Sequence, residues 1–126
     1  MTAARRFGPA LEALHVFMAW AAPVVDGFPR SYKFTLGDRI VAAGLDTLER
    51  LIEATYSRDR AKPLAAANLA IENLRHLFRL AFTLKCIDER RYEHAARSLD
   101  GIGRLIGAWK KSSDAYDTRA VPDERE

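Results

Sequence analysis

The sequence predicts an all-α fold, an antiparallel up-down four-helix bundle, on three observations. Ala and Leu are plentiful while runs of β-branched residues are almost absent. Apolar residues recur at helical spacing in four separate segments. The connections between those segments are short enough for consecutive helices to pack side by side. A chain of 126 residues, 48% hydrophobic and 29% charged, fits one domain with a single core. A flexible N-terminus is expected over 1–8, a bundle over 9–111 and a disordered acidic tail over 112–126.

The first helix is placed at 9–22. Pro9 suits a first helical turn, Leu11, Leu14, Phe17, Met18 and Ala21 form the apolar stripe with Trp20 beside it, and Pro23 is expected to stop the helix. The connection VVDGFPRSYKF follows (24–34). It is long for a bundle and sets Arg30 and Lys33 among Phe28, Tyr32 and Phe34. Those aromatics either pin the connection to the bundle end or, as the minority reading, offer a ring for base stacking.

Thr35 is the expected N-cap of the second helix, with Asp38 completing a variant capping box. Ile40, Gly44, Leu48, Leu51 and Ile52 should centre its buried face. Asp38, Arg39, Asp46, Glu49, Arg50 and Glu53 gather opposite. The third helix is placed at 64–86, after Pro63. Its apolar residues, from Leu64 and Leu69 round to Leu80, Phe82 and Leu84, cover roughly 220° of circumference. One core cannot cover so wide an arc, so this helix is either central or meets another subunit.

Asp88 is the expected cap of the fourth helix, whose sequence over 90–111 separates into faces. Tyr92, Ala95, Ala96, Leu99, Ile102, Gly103, Ile106 and Trp109 fall on the core side. Arg90, Arg97, Arg104 and Lys111 recur every seven residues on the other side, a cationic stripe drifting only about 20° per step. Glu93 and Asp100 stand four residues before Arg97 and Arg104, so the structural reading of the stripe is a solvated face of helical ion pairs, each worth about 0.2–0.5 kcal/mol. Gly103 and Gly107, one turn apart, suggest close approach of another backbone.

The charges are uneven. Of the net +3, residues 112–126 contribute −3, from five acids and two bases, which leaves residues 1–111 with 18 bases against 12 acids, or +6. If Arg75 and Arg79 on the third helix flank a groove shared with the fourth, they add to the stripe and to Arg30 and Lys33 as a phosphate-binding patch.

Enzyme chemistry has no support. DGIGRLIG has GxGxxxG spacing with no preceding strand, so it is not a dinucleotide loop. No phosphate-loop, zinc-protease, nucleophile-elbow or di-iron pattern occurs, and His15, His76 and His94 are scattered over three helices. The single cysteine, Cys86, belongs to neither an intramolecular disulfide nor a zinc pattern. No catalytic residues, cofactor or metal are expected. Glu12, His15 and Pro23 interrupt the N-terminal apolar run, and no run reaches membrane-spanning length, so a soluble cytoplasmic protein without membrane contact is expected.

Three blocks carry a family resemblance: FPRSYKFTLGDRI (28–40), NLRHLFRLAFTLK (73–85) and YEHAARSLDGIGRLIGAWKKS (92–112). Together they resemble Avd, the accessory variability determinant of diversity-generating retroelements, over 11–112. The four-helix-bundle proteins encoded in intervening sequences of large ribosomal RNA genes share the architecture and provide the alternative, a structural protein-interaction bundle. The resemblance to Avd implies a homopentameric barrel of four-helix bundles with no catalytic activity of its own. It implies that the barrel binds template RNA or cDNA and the reverse transcriptase, supporting mutagenic retrohoming. Matched residue by residue, it places Arg30, Arg75, Arg79 and Arg104 on the basic surface. The sequence departs from the family pattern at Gly107, Ala108 and Trp109, where a GGW-like ending is common, and in its acidic tail.

Overall fold

The computed structural model describes the backbone of residues 8–124 and the side chains of residues 8–113. The proposed flexibility of residues 1–8 falls almost wholly outside the described residues, as do the side chains of nearly all the acidic tail.

The described backbone forms four long helices and one helical turn, with no strand among the described residues. They are α1 (Pro9–Asp26), the turn α2 (Arg30–Lys33), α3 (Leu36–Tyr56), α4 (Ala61–Thr83) and α5 (Glu89–Glu124). α1 packs on α3, α3 on α4, α4 on α5 and α5 back on α1, so helices consecutive in the chain are neighbours in space. This is the predicted up-down bundle.

The core is built by the expected stripes. Leu14, Phe17 and Ala21 of α1 meet Ile40, Leu51 and Ala54 of α3, Leu64, Ile71, Leu74 and Phe78 of α4, and Ala95, Leu99, Ile102 and Ile106 of α5. At its centre the rings of Phe17 and Phe78 pack edge to face at 5.6 Å, joining the diagonal helices α1 and α4. Thr47 is the buried polar residue of the core, and its hydroxyl donates to the Ala43 carbonyl at 2.8 Å.

Several local expectations are corrected. Pro23 does not stop α1, which continues to Asp26. Close to a C-terminus the missing N–H removes one bond, and the Gly27 and Phe28 N–H groups satisfy the carbonyls of Pro23, Val24 and Val25. Buried Val25 and Phe28 anchor this end.

Thr35 occupies the N-cap position of α3 but makes no cap bond. Its hydroxyl turns back towards the Ser31 and Tyr32 carbonyls at the end of α2, at 3.5 and 3.4 Å, and the Thr35 N–H also donates to Tyr32, at 3.4 Å. The capping box therefore does not form. α4 spans Ala61–Thr83 rather than 64–86, with Pro63 accommodated in its first turn.

The α4–α5 turn closes on a Schellman motif. The Cys86 N–H donates to Ala81 and the Lys85 N–H to Phe82, at 2.8 and 3.0 Å, and Lys85 takes the left-handed conformation at φ 64°. Asp88 caps α5 as expected, accepting from the Arg91 N–H at 2.9 Å. α5 runs past its predicted end at Lys111 to Glu124.

The wide apolar arc of α4 resolves into parts. Leu64, Ile71, Leu74 and Phe78 are buried, whereas Leu69 is 72% and Leu80 46% exposed. α4 occupies a corner of the bundle between α3 and α5, so its outer flank faces away from this chain's core. On α3, Ile40, Gly44 and Leu51 are buried as expected, but Leu48 is only half-buried and Ile52 is exposed. Ala43, Thr47 and Ala54 take their place in the core, because α3 is rotated with its smaller residues inward.

Candidate nucleic-acid interface

α5 presents its stripe as the spacing requires. With Ala95, Leu99, Ile102 and Ile106 facing the core, Arg90, Arg97, Arg104 and Lys111 point outward, and all four are exposed. At 1.5 Å per residue they span about 32 Å of helix axis.

Of the two expected helical ion pairs, one forms and one does not. Arg97 lies 3.9 Å from Glu93, a loose and solvated contact. Arg104 has no ion pair with Asp100, because Asp100 reaches across the helix interface to the Arg75 guanidinium of α4. Arg75 is held from both sides, with Glu72 3.3 Å from its Nε, although that contact is not aligned for a hydrogen bond and is purely electrostatic. Among the described residues, Arg90, Arg104 and Lys111 have no acidic partner within 4 Å, and neither does Arg79 of α4.

The glycines of α5 also read differently. A Cβ on Gly103 would meet the Arg75 Nη2 at 2.9 Å, so the close neighbour is the ion-paired arginine and not another backbone. Gly101 and Gly107 have nothing within 4 Å of a would-be Cβ. Gly101 instead helps to form an open groove of about 430 Å³ between α5 and α1, lined also by Val16, Trp20, His94, Arg97 and Leu105. There Trp20 and His94 pack with ring centroids 4.4 Å apart.

Arg30 and Lys33 do not share a groove with Arg75. α2 packs on α3, the helix diagonal to α5, so these bases share the end of the bundle with Arg79 and Arg90 while standing on another side. Lys33 pairs with Asp26 at 2.9 Å and lies 5.4 Å from the centre of the Phe34 ring. Phe28 is buried and Tyr32 half-buried, so both pin the connection, whereas Phe34 is exposed.

Sequence reasoning by single helices missed a larger asymmetry. The α1–α3 pair carries six acids and two bases, or −4; the α4–α5 pair, counted to residue 113, carries four acids and nine bases, or +5. Helix boundaries and adjacency make this visible, and the net charge hides it.

No helix among the described residues is long and apolar enough to cross a membrane. No group of His, Cys, Asp and Glu among them is placed to hold a metal ion. A basic bundle face of this kind is what the three sequence blocks imply, and the family model described as bAvd-like matches residues 10–113. The chain belongs to the bAvd-like family. The match runs from the first turn of α1 to residue 113 within α5, so each of the four long helices of the bAvd-like bundle takes part in it. No curated protein and no solved structure matches the chain.

Proposed function

We propose that this bAvd-like bundle is a non-catalytic, cytoplasmic accessory protein of a diversity-generating retroelement. It binds template RNA or cDNA and the reverse transcriptase, and so supports mutagenic retrohoming. The observation that carries the nucleic-acid reading is the outer face of α5, where Arg90, Arg104 and Lys111 stand exposed without an acidic partner among the described residues and Arg97 is only loosely paired. Arg79 adds to it from α4, on the basic half of the bundle. Arg75 has a structural role here, held by Asp100 and Glu72, while Arg30 and Lys33 stand on another side of the bundle.

Guanidinium and ammonium groups on a convex helix face suit phosphate oxygens, and their contacts give affinity with little sequence preference. A single stripe is a modest surface. In the homo-oligomer, a pentamer by family resemblance, the stripe recurs on each copy and its affinity multiplies. The exposed Leu69 and Leu80 flank of α4 supports a second copy packing there.

Filter binding of a mixed-sequence RNA at low salt tests the reading. The triple variant Arg79→Glu/Arg90→Glu/Arg104→Glu is expected to bind at least tenfold more weakly than the parent. Absence of binding by the parent overturns the reading. Unchanged affinity of the variant, with its association with another protein retained, favours the alternative of a structural protein-interaction bundle like those of ribosomal RNA intervening sequences.

A further inference from the structure

The outer side of α3 carries a second unpartnered surface, on the acidic half of the molecule. Val41, Leu45, Leu48 and Ile52 follow one another at spacings of four, three and four residues, the seam of a helix that packs on another helix. The seam lies at the edge of the core, which Val41 and Leu48 pack against while Leu45 and Ile52 face outward. Val41 and Leu48 are half-buried, Leu45 is 50% exposed and Ile52 43%, and Tyr56 beyond them is 86% exposed. From Val41 to Tyr56 the apolar strip runs for about 22 Å along the helix.

The surroundings of the strip are acidic. Asp38 and Glu49 lie beside it on the outer flank, with Asp46 and Glu53 one step further round, and all four are exposed. Arg50 is drawn to Glu53 and Glu49, at 3.3 and 3.9 Å, and leaves Asp38 and Asp46 uncompensated by any ion pair among the described residues. On the other flank α1 contains no Lys or Arg at all.

We propose that this face of α3 docks a basic amphipathic helix of a partner protein, with the partner's apolar residues on the Leu45–Ile52 seam and its Lys or Arg side chains over Asp38, which has no ion pair among the described residues, and Glu49, which is only loosely paired. An exposed apolar strip of this length marks an interaction site. Its negative surroundings repel nucleic acid and anionic lipid and favour a cationic polypeptide. The α5 stripe of a second copy is a poor match, because no large exposed hydrophobic residue accompanies it among the described residues; the α4 flank of a second copy, where Leu69 and Leu80 are exposed, is the competing occupant that the self-association measurement below separates. Polyanion and protein partner are thereby assigned to opposite corners of one bundle, since α3 and α5 are diagonal. The inference deepens the partner element of the proposed function and is independent of its RNA element.

The test is a titration of the full-length protein with three synthetic fourteen-residue helical peptides. One has Leu at three- and four-residue spacing flanked by Lys and Arg; the second has Glu at the flanking positions; the third has the composition of the first with the apolar spacing scrambled. The first is expected to bind at least tenfold more tightly than either of the others. Leu45→Asp/Ile52→Asp and, separately, Asp38→Lys/Glu49→Lys should each remove at least tenfold of that affinity. Circular dichroism confirms that each variant is folded.

RNA affinity measured in parallel should stay within twofold for Leu45→Asp/Ile52→Asp. Equal binding of the three peptides, or no binding of the first, overturns the proposal. So does loss of self-association by Leu45→Asp/Ile52→Asp in gel filtration, which would give the face to a second copy. A parallel fall in RNA affinity overturns the separation of the two surfaces.

Discussion

Asp100 of α5 is bonded to Arg75 of α4 and not to Arg104, one turn further along its own helix. One carboxylate thereby ties two helices together and leaves Arg104 without a partner. The two arginines should consequently respond differently to substitution. Because the Arg75–Asp100 pair is partly exposed, Arg75→Met is expected to lower stability by no more than about 1 kcal/mol and to change RNA affinity less than twofold. Arg104→Met should leave stability nearly unchanged and weaken RNA binding severalfold. Urea unfolding beside filter binding checks both, and the reverse pattern would give Arg75 the binding role.

The same geometry separates the glycines of α5. Gly101 and Gly107 have open space where a Cβ would stand. Alanine at either should stabilise the protein by about 0.5–1 kcal/mol through helix propensity alone. Gly103→Ala must displace the Arg75 guanidinium, so its gain should be smaller than at Gly101. Urea midpoints at constant slope measure the order, and an equal gain at all three positions would contradict it.

Lys85 holds a left-handed conformation at the Schellman closure of α4, where glycine fits without a Cβ penalty. Lys85→Gly is expected to stabilise by about 0.5–1 kcal/mol, net of the greater freedom of glycine in the unfolded chain. Thermal unfolding shows it as a rise in Tm, and a fall would mean that the lysine side chain makes a contact of greater worth.

Burial pushes the Cys86 thiol up from its ordinary range. The thiolate is the reactive form, so alkylation by iodoacetamide at neutral pH should be slower for the folded protein than for the urea-unfolded chain. The rate should rise only at a higher pH than for a free cysteine. A folded-state rate equal to the unfolded rate would show the thiol to be freely solvated.

The fold was legible because Leu14, Phe17, Leu74, Phe78, Leu99 and Ile106 lie on helical stripes that short connections leave no other place to bury. Local boundaries were less so. The rule that proline stops a helix weakens in a last turn, where Pro23 stands. Thr35 suits an N-cap by residue type, but the helical turn behind it draws its hydroxyl to the Ser31 and Tyr32 carbonyls. The stripe of α5 follows from seven-residue spacing alone, but its pairing does not, since the partner that captures Asp100 is 25 residues away in sequence. The same holds for Leu45 and Ile52, whose outward position depends on how α3 is rotated against α1 and α4.

The central claim is that the outer face of α5 binds phosphates, and salt dependence tests it most directly. The slope of log Kobs against log salt for a mixed-sequence single-stranded RNA should be steep for the parent protein. In Arg90→Gln/Arg97→Gln/Arg104→Gln/Lys111→Gln it should become shallower by about 0.7 for each phosphate that the protein no longer neutralises. An identical slope for parent and variant, or a parent that does not bind RNA at low salt, would contradict the account.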